Sequence, residues 1–414
     1  MDWVACVGID WGDKEHAWVM RRREGGTMTA GRMGSSAEEI HQWMRGLREQ
    51  IPSGRVVVAV EQGRGSLLYA LMGYDFVALV PINPRASKAY RESRRLSGAS
   101  SDPLDAELIC EFAYKHIEEL RVWQPDDALT RKLRQLVENR RTLVDRRTAT
   151  THTLAATLKE YFPQALQWFG GETSPLLWAF VARWPTLDRL RLVSIEEITS
   201  ELRGQRRRKV PAAAQKLVEQ IRVAISLTDD RAIIEASAMY AQSLIAMLLP
   251  LSEQIAKYDQ TIAALWKEHP DRSIFDSLPG AGPVLAPRLA VAFGLDRTRY
   301  EHAYEMQCYS GIAPVIEQSG NQRWTHARHG YPTFLHQTFH EFAQSSIPKS
   351  TWAKAFYREQ RKRGAGHHEA IRTLAFRWLR ILVRMWKSSK PYDEEHYIAV
   401  LKAKQSPLVA QLAA

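Results

Sequence analysis

Apolar residues along the chain follow two different periods. Near the N-terminus they form short unbroken runs, Val4-Ala5-Cys6-Val7-Gly8-Ile9 and Val56-Val57-Val58-Ala59-Val60. Both are rich in β-branched side chains and predict buried strands. Further strands are predicted at 16–21, 27–32 and 76–80, and helices at 37–48 and 66–72. Another helix is predicted to open at Asp102-Pro103-Leu104-Asp105-Ala106, with Asp102 as its N-cap and Pro103 at the first helical position. Beyond residue 120 the helical period takes over. Residues 126–162 set Leu129, Leu133, Leu136, Leu143, Leu154 and Tyr161 along one seam, which Arg140 and Arg147 interrupt. The clearest pattern lies at 230–268, where Ile234, Ser237, Ala241, Leu244, Leu248, Leu251, Ile255, Tyr258, Ile262 and Leu265 alternate steps of three and four. This heptad run predicts a coiled coil between protomers, kinked near Pro250; a long helix packed inside its own chain has the same pattern. Residues 163–212, rich in Trp and Pro, predict a loop-rich insertion whose run Arg206-Arg207-Arg208-Lys209 offers an anion-binding patch.

The remainder predicts a compact helical domain. Its last long helix, near 368–387, carries Ile371, Leu374, Ala375, Trp378, Leu382 and Met385 on one face and Arg377, Arg380, Arg384 and Lys387 on another. A chain of 414 residues exceeds one ordinary core. The expected organisation is an α/β domain over 1–120, a basic helical and coiled-coil middle with its insertion over 121–270, an all-α domain over 271–390 and a tail over 391–414. Three early strands followed by strand–helix units is the order of an RNase H-like domain.

Charge sharpens this picture. A net charge of +11 with a pI near 9.5 favours a polyanionic partner. Three cysteines, Cys6, Cys110 and Cys308, lack metal-ligand spacing and suit a reducing cytosol. No secretory pattern opens the chain, and the longest apolar stretch, 244–251, is short for a membrane span, so a cytoplasmic, nucleoid-associated protein without a membrane partner is expected. No zinc-finger spacing and no clear helix-turn-helix reader is present.

Candidate chemistry sits at the ends of the predicted elements. Asp10 and Glu61 follow the two buried strands, and Asp102 and Asp105 open a helix. Four oxygen donors in this setting could hold two divalent cations, Mg2+ or Mn2+, for in-line phosphoryl transfer; taken singly, each is a cap or a strand-end acid. Arg85, Lys88, Arg91, Arg94 and Arg95 lie beside the proposed metal centre, where a phosphate backbone would run. Arg140 and Arg147 suit a helix lying along nucleic acid or a solvated helix face. Downstream, Leu278-Pro279-Gly280-Ala281-Gly282-Pro283 could expose backbone N–H groups to a phosphate, or simply turn between core helices. Ser319-Gly320 lies in a polar loop near Arg323, His326, Arg328 and His329. A serine hydroxyl is a weak nucleophile unless activated, and a turn serine is the plainer reading of Ser319 by itself.

Together these pieces resemble the DEDD transposases of insertion sequences, the family numbered one hundred and ten, whose members include bridge-RNA-guided recombinases. The resemblance covers residues 3–115 and 272–388 and rests on Gly8-Ile9-Asp10, Glu61, Asn83-Pro84, Asp102-Pro103-Leu104-Asp105-Ala106, Leu278-Pro279-Gly280-Ala281-Gly282, Ser310-Gly311-Ile312-Ala313-Pro314 and Ser319-Gly320. It implies a RuvC-like domain binding Mg2+ through Asp10, Glu61, Asp102 and Asp105, and a C-terminal serine transposase domain with Ser319 as nucleophile. Where the family often has Ser-Lys before the glycine matching Gly330, this chain has Ala327-Arg328-His329, leaving Arg328 or Arg323 to supply the cation. The implied activity is cutting and rejoining of donor and target DNA through a phosphoserine. The implied partners are a structured noncoding guide RNA and further copies of the chain, a dimer assembling to a tetramer. Two other classes use part of these features: a RuvC-like structure-specific nuclease, and a non-enzymatic coiled-coil scaffold for nucleic acid.

Overall fold

The valine-rich runs become the centre of a five-stranded sheet. In the computed structural model, which describes residues 2–61, 65–94, 101–205 and 210–412, the first elements are β1 (Ala5–Asp10), β2 (Glu15–Arg22), β3 (Met28–Gly34), α1 (Ala37–Gln50), β4 (Val56–Val60), α2 (Ser66–Leu71), β5 (Val77–Pro81), α3 (Pro84–Arg94) and α4 (Asp102–His116). The strand order is β3-β2-β1-β4-β5, with β1, β2 and β3 antiparallel and β1, β4 and β5 parallel, as an RNase H-like sheet requires. Side chains alternate between faces along a strand. Ala5, Val7, Ile9, Val56, Val58 and Val60 therefore pack toward α1 and α2, while Cys6, Val57 and Ala59 meet Ala106, Ile109 and Cys110 of α4 on the other face. Ser36 and Glu39 cap α1 reciprocally.

The chain divides after Asp127, and residues from Ala128 form a second unit. Its elements begin with α5 (Ala128–Tyr161), α6 (Gln164–Trp168), α7 (Pro175–Arg183), α8 (Leu187–Arg191), α9 (Ile195–Gly204), α10 (Val210–Val223) and α11 (Arg231–Trp266). They continue with α12 (Arg272–Asp276), α13 (Gly282–Phe293), α14 (Ala303–Tyr309), β6 (Val315–Ser319), β7 (Gln322–His326), α15 (Thr333–Ser346), α16 (Thr351–Lys362), α17 (His367–Ser388) and α18 (Glu394–Ala403). α5 and α11 run antiparallel: Leu133 and Val137 share a core with Ile262 and Trp266, and Leu154 and Leu158 share one with Ala241, Leu244 and Leu248.

This pairing corrects the expected role of the heptad seam. Ala241, Leu244, Leu248, Ile255 and Ile262 are buried within the chain, with α5 and α7 packed along α11. A neighbour on the same chain covers the stripe without the entropy of association, so periodicity alone did not reveal the partner. Helix α11 continues through Pro250. It is long and apolar enough to cross a membrane by length and composition, beyond what the 244–251 run indicated. Ile233, Met239, Tyr240, Met247 and Leu249 on α11 are exposed.

The 163–212 segment is also corrected, from loop-rich to helical. Five short helices fall wholly or partly within it, and Phe162, Phe169, Trp178, Phe180 and Trp184 form a buried aromatic core. Runs of five to ten residues are too brief to display a helical period, although Ser194 and Glu197 form a capping box that marks one of them. The run Arg206-Arg207-Arg208-Lys209 lies outside the described residues. In the C-terminal bundle, the apolar face expected of α17 is buried: Ile371, Leu374, Ala375, Trp378, Leu382 and Met385 all lie in the core.

Candidate functional site

Asp10 is the last residue of β1, and Glu61 directly follows β4. The two strands are parallel neighbours with Ile9 opposite Val60, so the two acids stand level at the same sheet edge. Their even spacing from Cys6 and from Val57 sends both toward the α4 face. Helix α4 brings the other two acids. Its N-cap is Ser101 rather than Asp102, which becomes the first helical residue, and Asp105 donates its backbone N–H to the Ser101 carbonyl. A proline at the second helical position is tolerated as well as one at the first, because neither N–H has an intrahelical partner.

Gly8 allows that helix to reach the sheet. A Cβ there would lie 2.3 Å from the Cys110 nitrogen and 2.4 Å from the Ala106 carbonyl oxygen, both backbone atoms. The glycine inside an otherwise β-branched run was the available signal. His16, which sequence reasoning missed, is buried and accepts the Gly12 N–H on Nδ1 at 3.2 Å, fixing the loop after Asp10. Burial lowers its pKa, favouring the neutral ring this acceptor role needs. Trp11, beside Asp10, is exposed.

Electrostatics tie the four acids together. Burial first, and then repulsion from Asp105, Glu61 and Asp102, raises the Asp10 pKa from 3.8 to about 6; Arg91 opposes this. Arg91 donates to Asp105 at 2.9 Å. An all-oxygen donor set with mutual repulsion has the chemistry a hard divalent cation would neutralise. As the side chains stand, no three His, Cys, Asp or Glu residues among those described are grouped closely enough to hold a metal ion. Accommodating a cation would draw the carboxylates inward and compete with Arg91 for Asp105.

Many cations expected at nucleic acid are engaged within the protein. Besides Arg91, Arg94 pairs with Glu111 at 2.9 Å and Lys88 with Glu92 at 3.9 Å. Arg140 forks onto Asp259 of α11, which explains an arginine on a seam. On the same basic helix as Arg140, Arg141 pairs with Glu341, and Arg134 donates to the Val291 carbonyl. Arg377 lies over Trp352 and Phe356 and donates to the Tyr397 hydroxyl, while Lys387 holds the Tyr300 and Glu301 carbonyls. These are corrections to a purely DNA-facing role, with a common cause: position on a helix does not disclose a distant carboxylate. Arg85, Arg323, Arg380 and Arg384 remain exposed and Arg147 half-buried; Arg95 lies outside the described residues. At the glycine-rich turn, a Cβ on Gly280 would meet the Ser345 carbonyl oxygen at 2.3 Å. Close packing accounts for Gly280.

Ser319 ends β6 in an exposed two-stranded hairpin turned by Gly320-Asn321, with Gly320 at φ +57°. Ser319 pairs with Gln322, Glu317 with Trp324 and Val315 with His326, so these six share one face. Arg323 pairs with Gln318 and lies on the opposite face, correcting its expected place beside the serine. Arg328 is turned to the hairpin's base, where it donates to the Ala313 carbonyl at 3.4 Å and meets Cys308 Sγ at 3.5 Å. His326 lies 3.4 Å from Glu317, a carboxylate that sequence reasoning had passed over.

An RNase H-like sheet with acids at one edge, followed by a helical unit, is an architecture met among enzymes that cut nucleic acid. The comparisons narrow the class. Residues 7–163 match the DEDD model for IS110 transposases, and residues 272–358 match the transposase model of the IS116/IS110/IS902 family. The chain belongs to this IS110-type family of insertion-element transposases, DNA-cutting and rejoining enzymes. It is 26% identical to the "Mini-circle putative transposase for IS117" of Streptomyces coelicolor, over 96% of this chain and 97% of that one. It is 24% identical to the 44.8 kDa protein of insertion element IS116 of Streptomyces clavuligerus, over 93% and 95%. With the 42 kDa protein of insertion element IS900 of Mycobacterium paratuberculosis it shares 22% identity, over 93% and 96%.

Proposed function

We propose that this transposase exchanges DNA strands through Ser319. The Oγ attacks a DNA phosphorus, an Oγ–P bond forms, and the P–O bond to one strand breaks, leaving a free hydroxyl that takes up the proton. A partner strand's hydroxyl then attacks the phosphoserine and restores serine, so rejoining needs no nucleotide hydrolysis. The observation that carries this reading is Ser319's position on an exposed hairpin inside the 272–358 transposase match. Asp10, Glu61, Asp102 and Asp105 would hold Mg2+ or Mn2+, which when bound neutralises charge developing on phosphate oxygens. His16 fixes the loop after Asp10, Gly8 sets the depth of α4, and Arg91 restrains Asp105.

Donor and target DNA would meet the exposed Arg85, Arg323, Arg380 and Arg384 through their backbones, with a structured noncoding RNA supplying sequence choice. The protein would act as a homo-oligomer, a dimer assembling to a tetramer. The exposed Met239, Tyr240 and Met247, which fall on one side of α11, offer a surface for that contact in place of the buried seam. Ser319→Ala is expected to abolish a protein–DNA adduct on denaturing gels while leaving stability within about 0.5 kcal/mol, because the side chain is exposed. Mass-spectrometric attachment of DNA to any other residue, or recombination by the alanine variant, eliminates the mechanism.

A further inference from the structure

We propose that Trp324 is a nucleobase-stacking residue that positions an unstacked nucleotide beside the phosphate attacked by Ser319; the inference rests on the Ser319 reading. Trp324 is 44% exposed on a strand whose residues are all solvent-facing. Two contacts fix its indole without packing. Nε1 donates to Glu317 Oε2 at 2.8 Å, and His326 Nε2 lies 3.4 Å from the other Glu317 oxygen. The carboxylate thereby takes up the indole N–H and leaves the π-face available.

Register places Trp324 diagonal to Ser319 on the same face, about 7 Å away by ordinary sheet geometry. One nucleotide can bridge a serine hydroxyl at its phosphate and an aromatic ring at its base. Trp324's neighbours on that face indicate a base rather than a protein surface. Ser319, Glu317, Gln322 and His326 are polar, and the one aliphatic neighbour on that face, Val315, is half-buried at the hairpin's base. The hairpin's other exposed large apolar residue, Ile316, points to the opposite face. A protein interface would call for a contiguous apolar patch. A base ring has two stackable faces and polar edges, and stacking tolerates any base identity. Inside a duplex both faces are covered, so the nucleotide taken must be single-stranded or flipped out. On this reading the hairpin favours DNA already opened at the point of attack.

The test uses the full chain carrying Ser319→Ala, which removes strand cleavage, and two DNAs. One is an intact duplex, and the other has a short single-stranded gap containing 2-aminopurine. The Ser319→Ala protein is expected to quench the 2-aminopurine on binding and to prefer the gapped DNA. Adding Trp324→Ala should remove the quenching and weaken gapped binding about 10-fold, with duplex affinity unchanged. Trp324→Phe should retain most of both effects. Equal affinities before and after Trp324→Ala, equal losses on both DNAs, or a change of oligomeric state without loss of quenching would each overturn the proposal. The readout involves no chemistry, so a missing phosphoserine with intact quenching would sink only the Ser319 mechanism.

Discussion

The acid cluster and the serine hairpin are built in opposite ways. Asp10 and Glu61 stand at the ends of strands whose other residues are almost completely buried, and α4 lies against them at a depth set by Gly8. Backbone pairing, parallel register and close packing all constrain the position of each acid. Ser319 is held by one hairpin ladder, faces solvent and lies opposite the arginine nearest it in sequence. The backbone of the first site is fixed within its own unit, while its carboxylates would still have to draw together around a cation. Among the described residues no general base is placed against Ser319, so the attack proposed for it would draw its activation from what binds the hairpin: substrate, a cation or another protomer. The difference teaches that one chain can fix a set of acids by close packing while presenting a serine on an accessible hairpin.

The largest test of that contrast is a pair of glycine substitutions. Gly8→Ala forces a methyl group into two backbone atoms of α4, and neither can swing away as a side chain could. A stability loss of about 3 kcal/mol, with loss of recombination, is expected. Gly320→Ala meets nothing within 4 Å, and its cost of about 1 kcal/mol comes only from the left-handed backbone at φ +57°. Urea unfolding of both variants checks this. Similar losses in the two would remove the distinction between a packed and an unpacked site.

How far the sequence disclosed each region follows from the same physics. The strand-end positions of Asp10 and Glu61 were legible because unbroken apolar runs mark buried strands, although singly each acid read equally as a cap or a strand-end residue. The α4 cap shifted by one residue, since Ser101 and Asp102 are both competent before Pro103. The Ile234–Leu265 stripe was visible, but a period defines a face and leaves its partner open; α5 was that partner. Arg140 was read as facing nucleic acid because nothing local indicates Asp259, 119 residues away. Arg323 could be assigned a face only once the Gly320-Asn321 turn had fixed the register, because a slip of one residue reverses every side chain.

A smaller effect probes electrostatics at the acid site. The folded-state pKa of Asp10, about 6, lies above its ordinary value of 3.8. The folded state therefore binds the proton more tightly, and Asp10's contribution to stability is fully present below about pH 4. It is lost as pH rises toward 6 and stays lost at pH 7. Asp10→Asn removes the cost of burying a charge and the repulsion from Asp105, Glu61 and Asp102. At pH 7 the variant should be more stable than the parent by about 1 kcal/mol after solvent screening, and the gain should disappear near pH 4. Recombination should be absent throughout. Thermal melts at both pH values decide; a pH-independent difference would mean that neither burial nor the neighbouring carboxylates disfavour the charged form of Asp10.

The smallest expected effect concerns the hairpin's far face. Arg323 is exposed and stands across from Gln318, so its guanidinium is directed away from the face that carries Ser319. If it meets DNA there, it neutralises one phosphate and supplies affinity without taking part in attack. Arg323→Gln should then lower the magnitude of the log–log salt slope of DNA binding by about 0.9. At low salt and saturating DNA, the rate of adduct formation should stay within about twofold of the parent, since neither the leaving group nor the attacking oxygen loses a neighbour. A cation that activated the serine would behave differently, because its removal slows the step at any DNA concentration, typically by about 100-fold or more. An adduct rate that collapses at saturation would mean the hairpin twists or opens on binding DNA, bringing Arg323 to the reactive face and making the serine site preorganised by substrate.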